Sequence, residues 1–176
     1  VIKNNIEGDF VECGVWRGGS AMLIIKTLQK FNVLDRKLWL FDTFEGMNTP
    51  TDEDKDFNNL SAEVQLNKSS KTTSSIIWAY ASLDDVQKNI TSTGYPSENI
   101  HYIKGKVEDT LPLKNYFTNC AILRLDTDWY ESTQIELEYL YPLLVKNGVL
   151  IIDDYGHWQG CKKAVDEYFE KLKLFP

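Results

Sequence analysis

The sequence predicts a doubly wound α/β fold built on a mostly parallel sheet. Three observations predict it. Short apolar runs read as strands, stretches with apolar residues at helical spacing separate them, and glycines or carboxylates stand at the ends of the runs. Strands buried on both faces read as continuous apolar runs, as these do.

Asp9 to Cys13 is the first strand and stops at Gly14. Ala21, Ile24, Ile25 and Leu28 then recur at i, i+3, i+4 and i+7, the stripe of an amphipathic helix. Lys37 to Phe41 is the second strand, closed by Asp42, and Ile100 to Ile103 is the third. Cys120 to Leu125 is the fourth and strongly apolar. Leu137, Leu140, Tyr141 and Leu144 form a helical face that Pro142 kinks or ends. Gly148 to Ile152 is the fifth strand, and Val165, Tyr168, Phe169 and Leu172 mark the last helix.

Residues 45–75 break the alternation. They are acidic early (Asp52, Glu53, Asp54, Asp56) and rich in Asn, Ser and Thr later. Such length and polarity suggest a mobile lid with no fixed role in the core, with a helix around Ser61 to Leu66. The whole of 1–176 is expected to be one domain carrying this insertion.

The bulk numbers narrow the function. The chain is 43% apolar and 26% charged, typical of a globular protein, and no run spans a membrane. A net charge of -7, with no Lys/Arg cluster, argues against nucleic acid and for a small-molecule partner. Cys13, Cys120 and Cys161 are odd in number and widely spaced, so neither a disulfide framework nor a zinc site is indicated. A cytoplasmic location is expected. Because the chain begins at Val1 rather than Met, we expect a further segment upstream, where any targeting peptide would lie. Self-association into a homo-oligomer is left open.

In open α/β sheets, ligands bind beyond the carboxyl ends of the strands. The residues there are Gly14 to Gly19, Asp42, Gly105 to Glu108, Asp126 to Asp128 and Asp153 to Tyr155. The Glu12 to Ser20 turn does not follow G-x-G-x-x-G, which weakens a dinucleotide reading. Its glycines, Gly14 and Gly18 among them, permit a tight turn and close approach of a ligand to a helix N-terminus; a structural turn is the alternative. An acid two residues before the glycine, Glu12, suits a ligand carrying an ammonium, as the methionine part of S-adenosylmethionine does. Asp42 is placed to accept from ribose hydroxyls, or is an exposed turn residue. Ser82 reads as a helix N-cap with Asp85 completing the box, and secondarily as a cofactor contact. Glu108, after the third strand, completes the candidate cofactor set.

Asp126 and Asp128 end the fourth strand, and Asp153 and Asp154 end the fifth. If these strands pair, four carboxylates converge. Like charges so close raise one another's pKa, and a hard divalent cation such as Mg²⁺ or Ca²⁺ would offset the repulsion. Solvated strand ends are the alternative. Adjacent residues on a strand face opposite ways, so Asp153 and Asp154 can serve one ion only if the strand has ended. His157 is a further candidate for substrate contact, and Trp129, Tyr130 and Trp158 could line a pocket or simply fill the core.

Four segments, Glu12-Cys13-Gly14-Val15-Trp16-Arg17-Gly18-Gly19, Phe41-Asp42-Thr43-Phe44-Glu45-Gly46, Leu123 to Thr133, and Ile152-Asp153-Asp154-Tyr155-Gly156, resemble the macrocin O-methyltransferase family in order and over nearly the whole chain. The resemblance implies a Rossmann-like methyltransferase fold, S-adenosylmethionine as donor and Mg²⁺ as metal. It implies Asp126, Asp153 and Asp154 as metal ligands, Asp128 as general base, Glu12 and Gly14 at the methionine end, and Asp42 on ribose. The implied acceptor is a hydroxyl of a sugar or glycoside. Two departures stand out. Lys106-Val107-Glu108-Asp109 lacks the aromatic residue expected in the antibiotic enzymes. The chain also stops at Pro176, so it is expected to lack the terminal antiparallel hairpin of such enzymes. The rivals are a nicotinamide-dependent oxidoreductase and a catalytically silent nucleotide- or metal-binding module.

Overall fold

A computed structural model describes residues 1–174. Five strands, β1 (Asp9–Cys13), β2 (Leu38–Asp42), β3 (Ile100–Lys104), β4 (Cys120–Leu125) and β5 (Leu144–Ile152), form one sheet in the order β3-β2-β1-β4-β5. All four pairings are parallel. The helices are α1 (Gly19–Lys30), α2 (Ala62–Asn67), α3 (Leu83–Thr91), α4 (Val107–Thr110), α5 (Tyr130–Leu140) and α6 (Gln159–Lys171).

The strands alternate their side chains between two cores, as period-two geometry requires. Phe10, Leu38 and Leu40 pack with Ala21, Ile25 and Leu28 of α1 and Val86 and Ile90 of α3. Val11, Cys13, Phe41, Leu123 and Leu125 pack on the opposite face with Leu137 and Leu140 of α5 and Cys161, Val165 and Phe169 of α6. The sheet is therefore covered on both sides, and the strand order reverses between β1 and β4. That reversal opens a crevice where neighbouring connections leave the sheet in opposite directions.

Two helix ends differ from the sequence expectation. α5 ends at Leu140, Tyr141–Leu143 form a 3-10 turn containing Pro142, and Leu144 begins β5 opposite Cys120. Leu144 is thus a strand residue, because proline cannot continue the helical hydrogen-bond ladder. Leu172 caps α6 and is largely exposed, so it lies outside that helix's buried stripe.

Part of the 45–75 segment does have a fixed place in the core, contrary to expectation. Its helix is present as α2, with Ser61 at the N-cap, and Ala62 and Leu66 are buried in the core. Asp54 is fully buried; its Oδ1 accepts from Tyr130 N at 2.8 Å at the start of α5, and its Oδ2 accepts from Thr51 N at 2.7 Å and Thr51 Oγ1 at 2.9 Å. Isolated bridges join Lys55 to Ser61 and Asp56 to Trp158. Polarity here serves helix capping and docking, a role composition does not distinguish from solvation. Among the described residues no helix is long and apolar enough to cross a membrane.

Candidate active site

All five strand ends meet at one cavity of about 300 Å³, to which β1 contributes Gly14, β2 Asp42, β3 Gly105, β4 Asp126 and β5 Asp153. The β1 side is a tight turn. Gly14 has φ 81°, and a Cβ there would stand 1.8 Å from the carbonyl oxygen of Asp126. Glycine is needed there because the backbone leaving β4 occupies the space a side chain would fill. Asp126 N donates to Cys13 O at 2.9 Å, locking the two strand ends together.

Asp42 braces this turn. Its Oδ2 accepts from Val15 N at 2.7 Å and Trp16 N at 3.0 Å, and its Oδ1 accepts from Phe44 N at 2.6 Å. Burial raises its pKa, and those three backbone N–H groups oppose the rise. Trp16 lines the cavity with a left-handed backbone (φ 47°), and its buried Nε1 has no hydrogen-bond partner.

On the other side of the switch point, carboxylate oxygens of Asp126, Asp153 and Asp154 lie within 4.8 Å of one another. β5 has ended at Ile152, so the adjacent Asp153 and Asp154 are free of strand alternation. Burial raises Asp126 to about 7 against the pull of Arg124, with Asp154 and Asp153 adding repulsion. Burial also raises Asp154, and Asp153 adds to it. Such a set suits a hard cation: every donor is an oxygen, and Asp126 and Asp154 are largely withdrawn from solvent.

Asp128 lines the same cavity but not as a simple continuation of the strand. Its φ of 68° turns the chain, its N donates to Asp154 Oδ2 at 3.2 Å, and its Oδ1 accepts from Trp158 Nε1 at 2.6 Å. Burial, then Asp154 and Asp126, hold its carboxyl well above the ordinary range.

The remaining candidates have other partners. Glu12 is buried on the α1-facing side, where its Oε1 accepts from Arg124 Nη1 at 2.9 Å; burial lifts it to about 7 despite that arginine. Gly18 is the N-cap of α1, and a Cβ there would press on Ile90 of α3 at 3.2 Å. Ser82 caps α3, accepting from Asp85 N at 3.2 Å and donating to Asp85 Oδ2 at 2.8 Å. Glu108 accepts from Ser132 Oγ. None of these four lines the cavity. Trp129 and Trp158 are buried core residues in edge contact with centroids 4.9 Å apart, so the aromatic pocket is not formed by them. Tyr130 donates to Glu167, and the exposed His157 packs against Phe57.

Sequence reasoning missed Arg124, although it stands two residues before Asp126 inside an apolar strand. A charge at such a position is a signal in itself, since an unpaired guanidinium would not be tolerated there. It also missed Glu136 on α5, fully buried, with its carboxyl held well above the ordinary range by that burial. Met47, Asn48, Ile76 and Ala79 are further lining residues that the sequence did not point to.

A doubly wound parallel sheet with one crevice at its switch point, a glycine turn on one bank and a carboxylate cluster on the other, defines a Rossmann-like α/β protein. A model of the macrocin-O-methyltransferase (TylF) family matches residues 1–175, and the chain belongs to that family. It is 36% identical over 174 residues to demethyldecarbamoylnovobiocin O-methyltransferase of Streptomyces niveus, covering 99% of this chain and 63% of that one. It is 33% identical over 168 residues to 8-demethyl-8-(2,3-dimethoxy-alpha-L-rhamnosyl)-tetracenomycin-C 4'-O-methyltransferase of Streptomyces olivaceus, covering 96% of this chain and 60% of that one. The solved O-methyltransferase NovP superposes with a TM-score of 0.80 at 34% identity, over 98% of this chain and 67% of its own. The chain thus spans somewhat under two thirds of the curated relatives' length.

Proposed function

We propose that this chain forms the core of an S-adenosylmethionine-dependent O-methyltransferase that uses Mg²⁺ to methylate a hydroxyl of a sugar-bearing small molecule. The observation that carries the reading is the placement of the Asp126, Asp153 and Asp154 oxygens on the same cavity as the Gly14 turn and Asp42. Membership of the family and the relatives' names support the reaction class. Three buried cysteine thiols, all free, suit a reducing cytoplasm.

Both groups fit the residues present. For the donor, Trp16, on the cavity wall, offers an orphaned buried N–H, and Asp42 Oδ1, with one backbone bond, can accept from ribose. For the metal, three carboxylates would hold it. A bound Mg²⁺ would lower an acceptor hydroxyl's pKa and orient that hydroxyl. S-adenosylmethionine would supply the methyl group, and Asp128 would take up the proton of the acceptor hydroxyl. Trp158 keeps the Asp128 carboxylate aimed, while Gly14 and Asp42 keep the donor side rigid.

The test is calorimetry with S-adenosylmethionine, S-adenosylhomocysteine and NADH, each with and without Mg²⁺, followed by an acceptor screen. Binding of NADH alone would sink the assignment. Asp128→Asn should leave metal and donor binding intact while the rate falls by on the order of 10²–10⁴-fold; loss of metal binding in that variant would overturn the division of roles.

A further inference from the structure

We infer that Arg124 is a positioning residue that fixes the size of the cation site and makes it select Mg²⁺ over Ca²⁺. This rests on the metal reading above. The sheet register sets Glu12 of β1 directly beside Arg124 of β4, and both side chains lie on the α1-facing side. Glu12, only 2% exposed, anchors Nη1 at 2.9 Å. The same Nη1 lies 2.6 Å from Asp126 Oδ2, and Nη2 lies 3.1 Å from Asp153 Oδ1. One planar group therefore ties a residue from the end of β4 to one from the end of β5, and its own position is set by a buried carboxylate on β1.

The stoichiometry of these contacts matters. The contacts Arg124 makes are to Asp126 Oδ2 and Asp153 Oδ1, and each aspartate has a second oxygen. Each carboxylate can then face an ion with one oxygen while the other is pinned. Groups that hydrogen-bond metal ligands set their orientation, and losing one typically costs about 10–100-fold in metal affinity. Mg²⁺ demands near-octahedral bonds of about 2.0–2.1 Å, whereas Ca²⁺ accepts about 2.3–2.6 Å in flexible geometry. A pinned pair of carboxylates favours the exacting ion; a loose pair penalises it more than the tolerant one.

Lysine keeps the charge but is a point donor on a flexible stem, unable to present two nitrogens in one plane. Arg124→Lys therefore separates geometry from charge. Calorimetric titration of the full chain with Mg²⁺ alone and with Ca²⁺ alone, donor absent, reads the ratio of the two dissociation constants. Both ions are divalent, so any change in local charge cancels in that ratio. We expect the preference for Mg²⁺ over Ca²⁺ to fall by roughly 10-fold in Arg124→Lys. An unchanged ratio in the folded variant overturns the inference while leaving the metal reading intact. Failure of the unsubstituted protein to bind either ion sinks the metal reading and this inference with it. Should the variant not fold, a crystal structure of the unsubstituted protein with Mg²⁺ decides: the guanidinium still on Asp126 and Asp153 supports the role, and a guanidinium swung away from both refutes it.

Discussion

The Trp158 indole N–H donates to Asp128 Oδ1 at 2.6 Å, from the loop before α6 to the turn after β4. This bond favours the charged carboxylate, opposing burial and the neighbouring Asp154 and Asp126. Trp158→Phe keeps an aromatic ring in the core and deletes the donor. The Asp128 pKa should then rise further, so the acidic limb of the kcat profile should move to higher pH. An unmoved limb, measured with any accepted substrate, would separate Asp128 from the proton transfer.

Gly14 and Asp126 set up a second prediction. A Cβ at position 14 would collide with the Asp126 carbonyl, and the φ of 81° is itself unfavourable for other residues. Gly14→Ala should lower stability by about 1–3 kcal/mol, as overpacking does, read by chemical denaturation. Because the strain falls on the backbone of Asp126, Mg²⁺ affinity should drop in the same variant. Stability loss with full Mg²⁺ affinity would show that the two strand ends are mechanically independent.

The pH dependence of stability has a defined sign. Asp126 is raised from 3.8 to about 7 and Glu12 from 4.5 to about 7, burial being the largest cause for each. A carboxylate with a raised folded pKa contributes stability that is complete below its unfolded value and disappears as pH climbs through its folded value. These groups therefore weaken the fold between about pH 4 and 7. A divalent cation binds the deprotonated acids, so its stabilising effect should grow over the same window. The rise in Tm on adding excess Mg²⁺ should be larger near about pH 8 than near about pH 5; an equal or reversed difference would mean that Asp126 is not a ligand.

Asp54 provides a structural test within the polar insertion. Its carboxylate joins Thr51 to the first N–H of α5 and seats against Gly160 of α6, where a Cβ would meet Asp54 Oδ1 at 2.1 Å. Asp54→Ala should cost about 1–2 kcal/mol as a lost cap, read from urea melts. A neutral result would leave the segment's packing to Ala62 and Leu66 alone.

Hydrogen exchange should divide the same insertion. Amides around residues 54–67, tied to α5 and α6, are expected to exchange slowly with or without ligand. Residues 69–79 have a different footing: Arg17 reaches the carbonyl of Thr73, Ile76 is 81% exposed, and Ile76 and Ala79 border the cavity. Their amides should gain protection when S-adenosylhomocysteine binds. Uniform, ligand-independent protection across 54–79 would rule out a lid.

The sequence by itself determined the layered fold. Apolar runs of strand length, helical stripes between them and glycine or acid at each run's end dictate a parallel sheet covered on two faces, and the order of motifs pointed to the edge where the cavity lies. It also determined that Asp126, Asp153 and Asp154 would share a neighbourhood, because paired parallel strands end together. Tertiary structure alone decided what each residue faces. Glu12 turned toward Arg124 because the β1–β4 register sets them side by side. Asp128 turned toward Trp158 because its left-handed backbone breaks the i, i+2 rule that holds only within a strand. Asp54 went inward because α5 lacks a capping side chain of its own at Trp129, and a carboxylate 76 residues away supplies it. Such pairings depend on contacts between distant segments, which local periodicity and composition do not encode.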